Sequence, residues 1–366
     1  MCRTLLCSAD DASAAGRDLM TDDRRGTLAL FQAAVTRDPG SAQRWCDLGD
    51  ALVMNGDVAR GRYCFARAYE LGGGSAAVVA RVAQFYFGVG DRCGSLDFGS
   101  RLLTLTRTYD QAIFQAYDWA ALPAAEVLGR GLPFDKTMGQ SWFRHVLQAR
   151  TLDETGDAWA WLAHNQFTDD RTASEYLDVL VKAREYPSAA GIWTHYLGNR
   201  AGDYPEPNAL FNGSFEREPT GAVFDWRIET VPGVDVSLDS HERQSGKSSL
   251  KLHFSGGENL RYHHVGQFAY ANAGRYRFVA LIKTAGITTD EGIRFHVFGG
   301  GPPEKLDVMT EQIGGTTAWT RIEKTFSVPG DTKLVKVEIT RLPSLKFANK
   351  ITGDAWIDDI SLSRIK

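Results

Sequence analysis

Hydrophobic positions recur at helical spacing from Arg24 onward, and the period changes to two beyond the prolines near residue 207. Trp45, Leu48, Gly49 and Leu52 stand at W-x2-L-G-x2-L spacing. Asn55-Gly56-Asp57 interrupts them as a turn, and Gly61, Phe65 and Ala68 follow in small-aromatic-small order. The same unit returns with Val79, Val82, Ala83 and Tyr86, whose turn is Gly90-Asp91. Thr27, Phe31 and Ala34, closed by Asp38-Pro39, form the second helix of the preceding unit, and the step from Phe31 to Phe65 is one period of about 34 residues. A fourth start falls at Asp110, with Ile113, Ala116 and Tyr117. Small residues let two helices approach closely, and the aromatic fills the gap to the next hairpin. No hairpin buries its apolar face alone, so the pattern predicts a stacked helical array.

The register breaks at Pro123. Helical spacing resumes over 141–150 and 158–167, and a last hairpin carries Tyr176, Leu177 and Leu180, then Ala189, Trp193 and Tyr196. The Trp and Tyr residues here are read as interhelix core. Asp203-Tyr-Pro-Glu-Pro207 is a linker, because Pro205 and Pro207 disfavour helix on both sides. Beyond it, 248–254, 276–282, 292–298, 321–328 and 333–341 alternate apolar and polar, punctuated by turns such as Val231-Pro-Gly233 and Val328-Pro-Gly330. Short alternating runs with turn signals predict an antiparallel β-sandwich of the jelly-roll kind. The expected organisation is a poorly ordered leader over 1–23, helical repeats over 24–200, a linker over 201–207 and the sandwich over 208–366.

Composition changes this picture little. Of 366 residues, 43% are hydrophobic and 23% charged, with a net charge of −4, so the basic stripe of a nucleic-acid binder is missing. No apolar run approaches the roughly 20 residues that span a bilayer. Met1–Ser8 lacks the pattern of a secretory signal, which leads to the expectation of a cytoplasmic chain if that start is native. The cysteines (Cys2, Cys7, Cys46, Cys64 and Cys93) form no CxxC pair and read as free thiols, those at 46 and 64 inside helical patterns.

Five segments carry a resemblance: Asn212-Gly-Ser-Phe-Glu216, Phe224-Asp-Trp226, Ser245-Gly-Lys-Ser-Ser-Leu-Lys-Leu252, Trp319 with Phe326-Ser-Val-Pro329, and Trp356-Ile-Asp-Asp-Ile-Ser-Leu362. In order and spacing they resemble the galactose-binding-like jelly rolls that include several families of carbohydrate-binding modules. Residues 24–200 resemble tetratricopeptide repeat proteins. The combination resembles bacterial repeat proteins with a carbohydrate-binding-like C-terminus, some associated with surface polysaccharide, and this implies a cell-envelope association. Trp226, Trp319 and Trp356 belong to the fold signature and are expected in the core.

The resemblance also implies a structural calcium at the sandwich edge, held by Glu216, the Gly246–Lys247 carbonyls and Asp358 or Asp359. These are hard oxygen donors suited to that ion. The alternative is that Glu216 accepts hydrogen bonds from the Ser248–Ser249 region while an Asp caps the last strand. For a sugar, the candidates are Arg227, Asn259, Tyr262, His264, Gln267 and Arg341, drawn from a polar strand and its neighbours. Arg261, His263 and the loop Thr289-Asp290-Glu291 lie beside them. The alternative is a solvated face with satisfied histidines. Adjacent strand positions point to opposite faces, so His263 and His264 are not read as a metal pair.

No GxSxG, HExxH, P-loop or strand-linked GxGxxG is present, and Gly299–Pro303 reads as a flexible loop. The expected function is non-catalytic: the helical repeats act as a scaffold that docks a protein partner, and the sandwich binds a glycan or polysaccharide. Two alternatives stand beside it. The sandwich could only cap the solenoid and bind no sugar, or the chain could be a glycan-processing enzyme, which would need paired carboxylates across a cleft.

Overall fold

A computed structural model describes residues 13, 14, 17, 24–300 and 305–365. The leader apart from those three positions, Cys2, Cys7 and the Gly301–Pro303 part of the glycine-rich loop lie outside the described residues. The chain divides into two compact units, Met1–Phe167 and Thr168–Lys366.

The first unit is helical: α1 (Arg24–Arg37), α2 (Ala42–Met54), α3 (Val58–Gly72), α4 (Ala76–Gly88), α5 (Arg92–Leu105), α6 (Asp110–Trp119), the short α7 (Ala124–Glu126), α8 (Lys136–Ala149) and α9 (Leu152–His164). The turns end and restart helices by local chemistry. Gly56 and Gly90 take left-handed φ values of 83° and 70° after the helix ends. Asp57 and Asp91 then cap the next helix by accepting the Arg60 and Gly94 amides at 3.0 Å.

Glycines admit aromatic rings between helices. A Cβ on Gly49 would meet the Phe65 ring at 2.9 Å, and one on Gly139 the Trp161 ring at 2.8 Å. Phe65 in turn stacks on Phe85, centroids 4.6 Å apart. Polar contacts repeat along the array at a constant separation. Arg81–Asp47 (2.8 Å), Arg92–Glu126 (2.7 Å) and Arg107–Ser141 (3.1 Å) each join residues 34 apart. After Pro123 the geometry changes: α7 runs into a π-helical turn, Val127–Gly131, which the buried Tyr117 hydroxyl ties down by donating to the Gly131 carbonyl at 2.7 Å.

The second unit begins with a helical hairpin, α10 (Asp170–Lys182) and α11 (Tyr186–Leu197). A capping box between Asp169 and Thr172 starts α10. Ten strands follow: β1 (Arg227–Ile228), β2 (Val234–Asp239), β3 (Ser249–Ser255), β4 (Tyr262–Tyr270), β5 (Gly274–Ile287), β6 (Arg294–Gly299), β7 (Asp307–Met309), β8 (Gly315–Val328), β9 (Leu334–Arg341) and β10 (Thr352–Ile365). They form two antiparallel sheets, β1-β4-β9-β6-β7 and β2-β3-β10-β5-β8. Their inward positions build one core, with Phe278, Ile282, Phe295, Val297, Val337, Ile339 and Ile357 each wholly buried. This is the sandwich that the alternation predicts.

The segment leading into the sandwich is clipped to its last strand. Asn208 Oδ1 accepts the Leu362 amide at 2.9 Å, and the Ala209 amide donates back to the Leu362 carbonyl at 2.8 Å. Trp193 of α11 meets Phe211 edge-on, centroids 5.7 Å apart. Of the signature tryptophans, Trp226 is fully buried and donates to the Asn212 carbonyl. Trp356 faces outward on the second sheet, because its neighbours Ala355 and Ile357 take the inward positions. It stays covered by Lys251 and Lys283, whose ammonium groups lie 5.1 and 5.7 Å from its ring. Trp319 is half-buried.

Candidate functional site

The outward face of the β1-β4-β9-β6-β7 sheet gathers aromatic and charged side chains. Strand register sets its rows. Phe268, Lys336 and Phe298 stand side by side on β4, β9 and β6, with Asp307 of β7 next. The adjacent row is Arg227, Gly266, Glu338, His296 and Met309. All face away from the core because Val265, Val335, Val337, Phe295 and Val297 take the inward positions.

The two phenylalanines are half-buried, two strand spacings apart, or about 9.6 Å. The Lys336 ammonium sits between them, 5.5 Å from the Phe268 ring and 5.8 Å from the Phe298 ring, and is paired with Glu338. His296 stacks on Phe298 at 4.3 Å, and its Nε2 lies 2.7 Å from Asp307 Oδ1. Arg294 pairs with Glu291 and donates to Gln312 Oε1 at 2.6 Å. Gly266 lets the Glu338 and Lys336 side chains lie close over β4, since a Cβ there would press on Glu338 Cγ and the Val337 carbonyl at 3.1 Å. The face thus offers two apolar rings flanked by planar and charged hydrogen-bonding groups already held in place.

The sequence candidates fall in several places. His264 lies beside this face, its ring 4.5 Å from that of His263. Burial, together with that neighbour, lowers its affinity for a proton. Arg227 is on the face, donating to the Gly221 carbonyl at 2.9 Å and paired with Asp178 of α10. Tyr262 is wholly buried in the core, and burial pushes its phenol far above the usual range. Gln267 is buried too, donating to the Phe211 and Phe224 carbonyls at 3.0 and 2.9 Å. Arg341, fully buried, and Asn259 form a brace between loops, joined at 3.0 Å. Phe268, Phe298, Lys336 and Glu338 were not among the candidates. Their signal is aromatic and charged residues at the outward positions of three neighbouring strands.

At the sandwich edge, both Glu216 oxygens accept the Lys247 amide, at 2.8 and 3.0 Å. Asp358 Oδ2 accepts the Gln244 and Ser245 amides at 2.9 and 3.0 Å, and Asp359 Oδ1 accepts the Ser245 hydroxyl at 2.9 Å. The Gly246 carbonyl accepts from Arg243 Nε at 3.0 Å, and Arg243 also reaches the Ser240 carbonyl. Each side-chain oxygen named here, and the Gly246 carbonyl, thus already has a donor. A guanidinium supplies the positive charge beside that carbonyl. Among the described residues no three His, Cys, Asp or Glu side chains gather as a metal-binding group. A calcium ion there would share the Gly246 carbonyl with Arg243 and Glu216 with a backbone amide.

No protein-family model matches the chain, and no curated protein matches it. Solved structures with some likeness include tailspike protein 4 of bacteriophage CBA120, in its enzymatically active domain, at 11% identity over 43% of this chain, TM-score 0.32. The likeness spans only 22% of that tailspike chain. The CBM22-1 xylan-binding domain of Paenibacillus barcinonensis Xyn10C is similar at 15% identity over 42% of this chain and 92% of that one, TM-score 0.29. MamA is similar at 18% identity over 32% of this chain and 72% of that one, TM-score 0.29.

Proposed function

We propose that this chain is a non-catalytic binding scaffold whose sandwich holds a glycan on the outward face of the β1-β4-β9-β6-β7 sheet. The row Phe268-Lys336-Phe298 carries this reading. A sugar ring has an apolar C–H face and an equatorial rim of hydroxyls. Half-exposed phenylalanine rings accept the first, and Glu338, His296, Asp307 and Lys336 hydrogen-bond the second. Two rings about 9.6 Å apart suit a chain of several sugars laid across the strands rather than a single one. The carboxylates Glu338 and Asp307 on the face are paired with Lys336 and His296, which favours binding over glycan processing.

The helical array would supply the partner-docking half, and one observation favours it. Trp119 is 85% exposed at the rim of an apolar cleft of about 570 Å³ lined by Phe87, Leu102, Tyr109, Ile113 and Ala116. The chain would then link a protein partner to a polysaccharide, as in surface polysaccharide assembly. Affinity electrophoresis of the full chain against a panel of neutral and acidic polysaccharides tests the sugar half. At least one gel retards the protein, and the Phe268→Ala/Phe298→Ala pair cuts that affinity about tenfold or more while its circular dichroism is unchanged. No retardation by any polysaccharide leaves the capping role as the sandwich's function.

A further inference from the structure

The opposite sheet carries a second cleft. It lies over the outward side of β5, β8 and β10, walled by the segment 199–217, and has a volume of about 740 Å³. Its floor is Val279 and Leu281 of β5 with Ser361 and Ser363 of β10. Val279 alternates with core residues Phe278 and Ala280, so it faces outward, yet it is only 8% exposed. The covering segment is what shelters it.

That segment is held in uncommon backbone. Asn212 (φ 53°) and Asp359 (φ 49°), both lining residues, and Phe215 (φ 52°) between two lining residues are half of the six non-glycine residues with left-handed φ among those described. Such conformations persist only where packing imposes them, and they concentrate at ligand clamps. Gly213 seats the wall directly on β10: its carbonyl accepts the Ile360 amide at 2.9 Å, and a Cβ there would run into the Ile360 carbonyl.

Four arginines line this cleft, and two are spoken for. Arg200 binds Asp170 at 3.0 Å and lies over the Tyr196 ring, and Arg321 binds Glu323 at 2.8 Å. Arg217 and Arg277 are exposed and have no ion-pair partner among the described residues. The lining carboxylates Glu216 and Asp359 accept hydrogen bonds from the Lys247 amide and the Ser245 hydroxyl, which direct their oxygens but do not offset their charge, and Asp203 lines the cleft as well. Among the described residues, the charged lining side chains without a hydrogen-bond partner are two planar guanidinium forks and the Asp203 carboxylate, beside a small apolar floor edged by serine hydroxyls. That combination matches an oxyanion carried on a sugar: the forks take a carboxylate or sulfate bidentately, and the floor and hydroxyls take the ring.

We propose that this cleft is a second binding site, for an acidic saccharide, and that Arg217 and Arg277 recognise its anionic group. The site is independent of the aromatic face on the other sheet. Isothermal titration of the full chain with trigalacturonate, its methyl ester and inorganic phosphate tests it. Trigalacturonate binds, its affinity falls as salt rises, and the methyl ester binds about tenfold more weakly or not at all. Arg277→Ala and Arg217→Ala each weaken trigalacturonate about tenfold, Arg277→Lys loses part of that through the missing fork, and Arg67→Ala, an exposed arginine of the helical unit outside both sites, leaves it unchanged. Both arginines are exposed, so the variants fold. The proposal is overturned if the ester binds as well as the acid, if neither alanine variant of the cleft weakens binding, or if Arg67→Ala abolishes it. Phosphate binding as tightly as trigalacturonate would overturn the sugar part and leave a bare anion site.

Discussion

Arg341 donates to Asn259 Oδ1 at 3.0 Å from a position with no solvent exposure at all, and this pair ties three loops together at one end of the sandwich. Asn259 Oδ1 also accepts the Ser344 amide at 2.9 Å, while its Nδ2 donates to the Ser344 carbonyl at 2.8 Å. The guanidinium reaches further to the carbonyls of Leu260 and Asn349 and to the Thr289 hydroxyl. Beyond this brace Leu345 and Phe347 stand fully in solvent.

Removing the guanidinium strands several buried acceptors at once. Arg341→Met lowers the stability of the second unit by about 3–5 kcal/mol. Arg341→Lys keeps the charge but not the fork, and costs about 2 kcal/mol. Urea unfolding followed by tryptophan fluorescence reads both. A change under 1 kcal/mol for the methionine variant would show the brace to be idle.

Asp225 has a pH signature opposite to that of an ordinary surface carboxylate. It is fully buried, and burial pushes its carboxyl above the usual value of 3.8 against hydrogen bonds from Thr220 and the Trp226 amide. A carboxyl that holds its proton more tightly when folded stabilises most below its unfolded value, and that contribution fades as pH rises through the folded one. The destabilisation caused by Asp225→Ala is therefore larger at pH 3 than at pH 7. The reverse order in paired denaturation curves contradicts this.

The edge clasp separates a hydrogen-bonded role from a calcium-bound one. With Arg243 on the Gly246 and Ser240 carbonyls, the expected outcome is a melting temperature unmoved by EDTA or by millimolar calcium. Arg243→Ala lowers stability by about 1–2 kcal/mol, and calcium does not restore it. A calcium-dependent rise in melting temperature of the unaltered chain would make the clasp a metal site.

The sandwich was legible because alternation, turn signals and an apolar period of two all point the same way over 248–254, 276–282 and 333–341. Every one of those runs became part of a strand. The aromatic face was not, for a local reason. The polar stretch at 259–267 reads as a surface, but a register shift between Tyr262 and Val265 turns Tyr262 and Gln267 inward together. A bulge changes which residues share a face, and alternation cannot announce it. Arg341 misled in another way: a charged strand-end residue looks solvated, whereas loops distant in sequence close over it. The face itself needed strand order, since Phe268, Phe298 and Lys336 are neighbours only because β9 lies between β4 and β6.

The clip between Asn208–Ala209 and Leu362 has a mechanical consequence. Tension arriving along the linker is passed to β10, which lies in the middle of its sheet between β3 and β5, not at an edge. An edge strand can be peeled one bond at a time. A central strand must slide against two neighbours together, so many bonds share the load. A domain pulled along that segment keeps its shape best when force enters through such a strand.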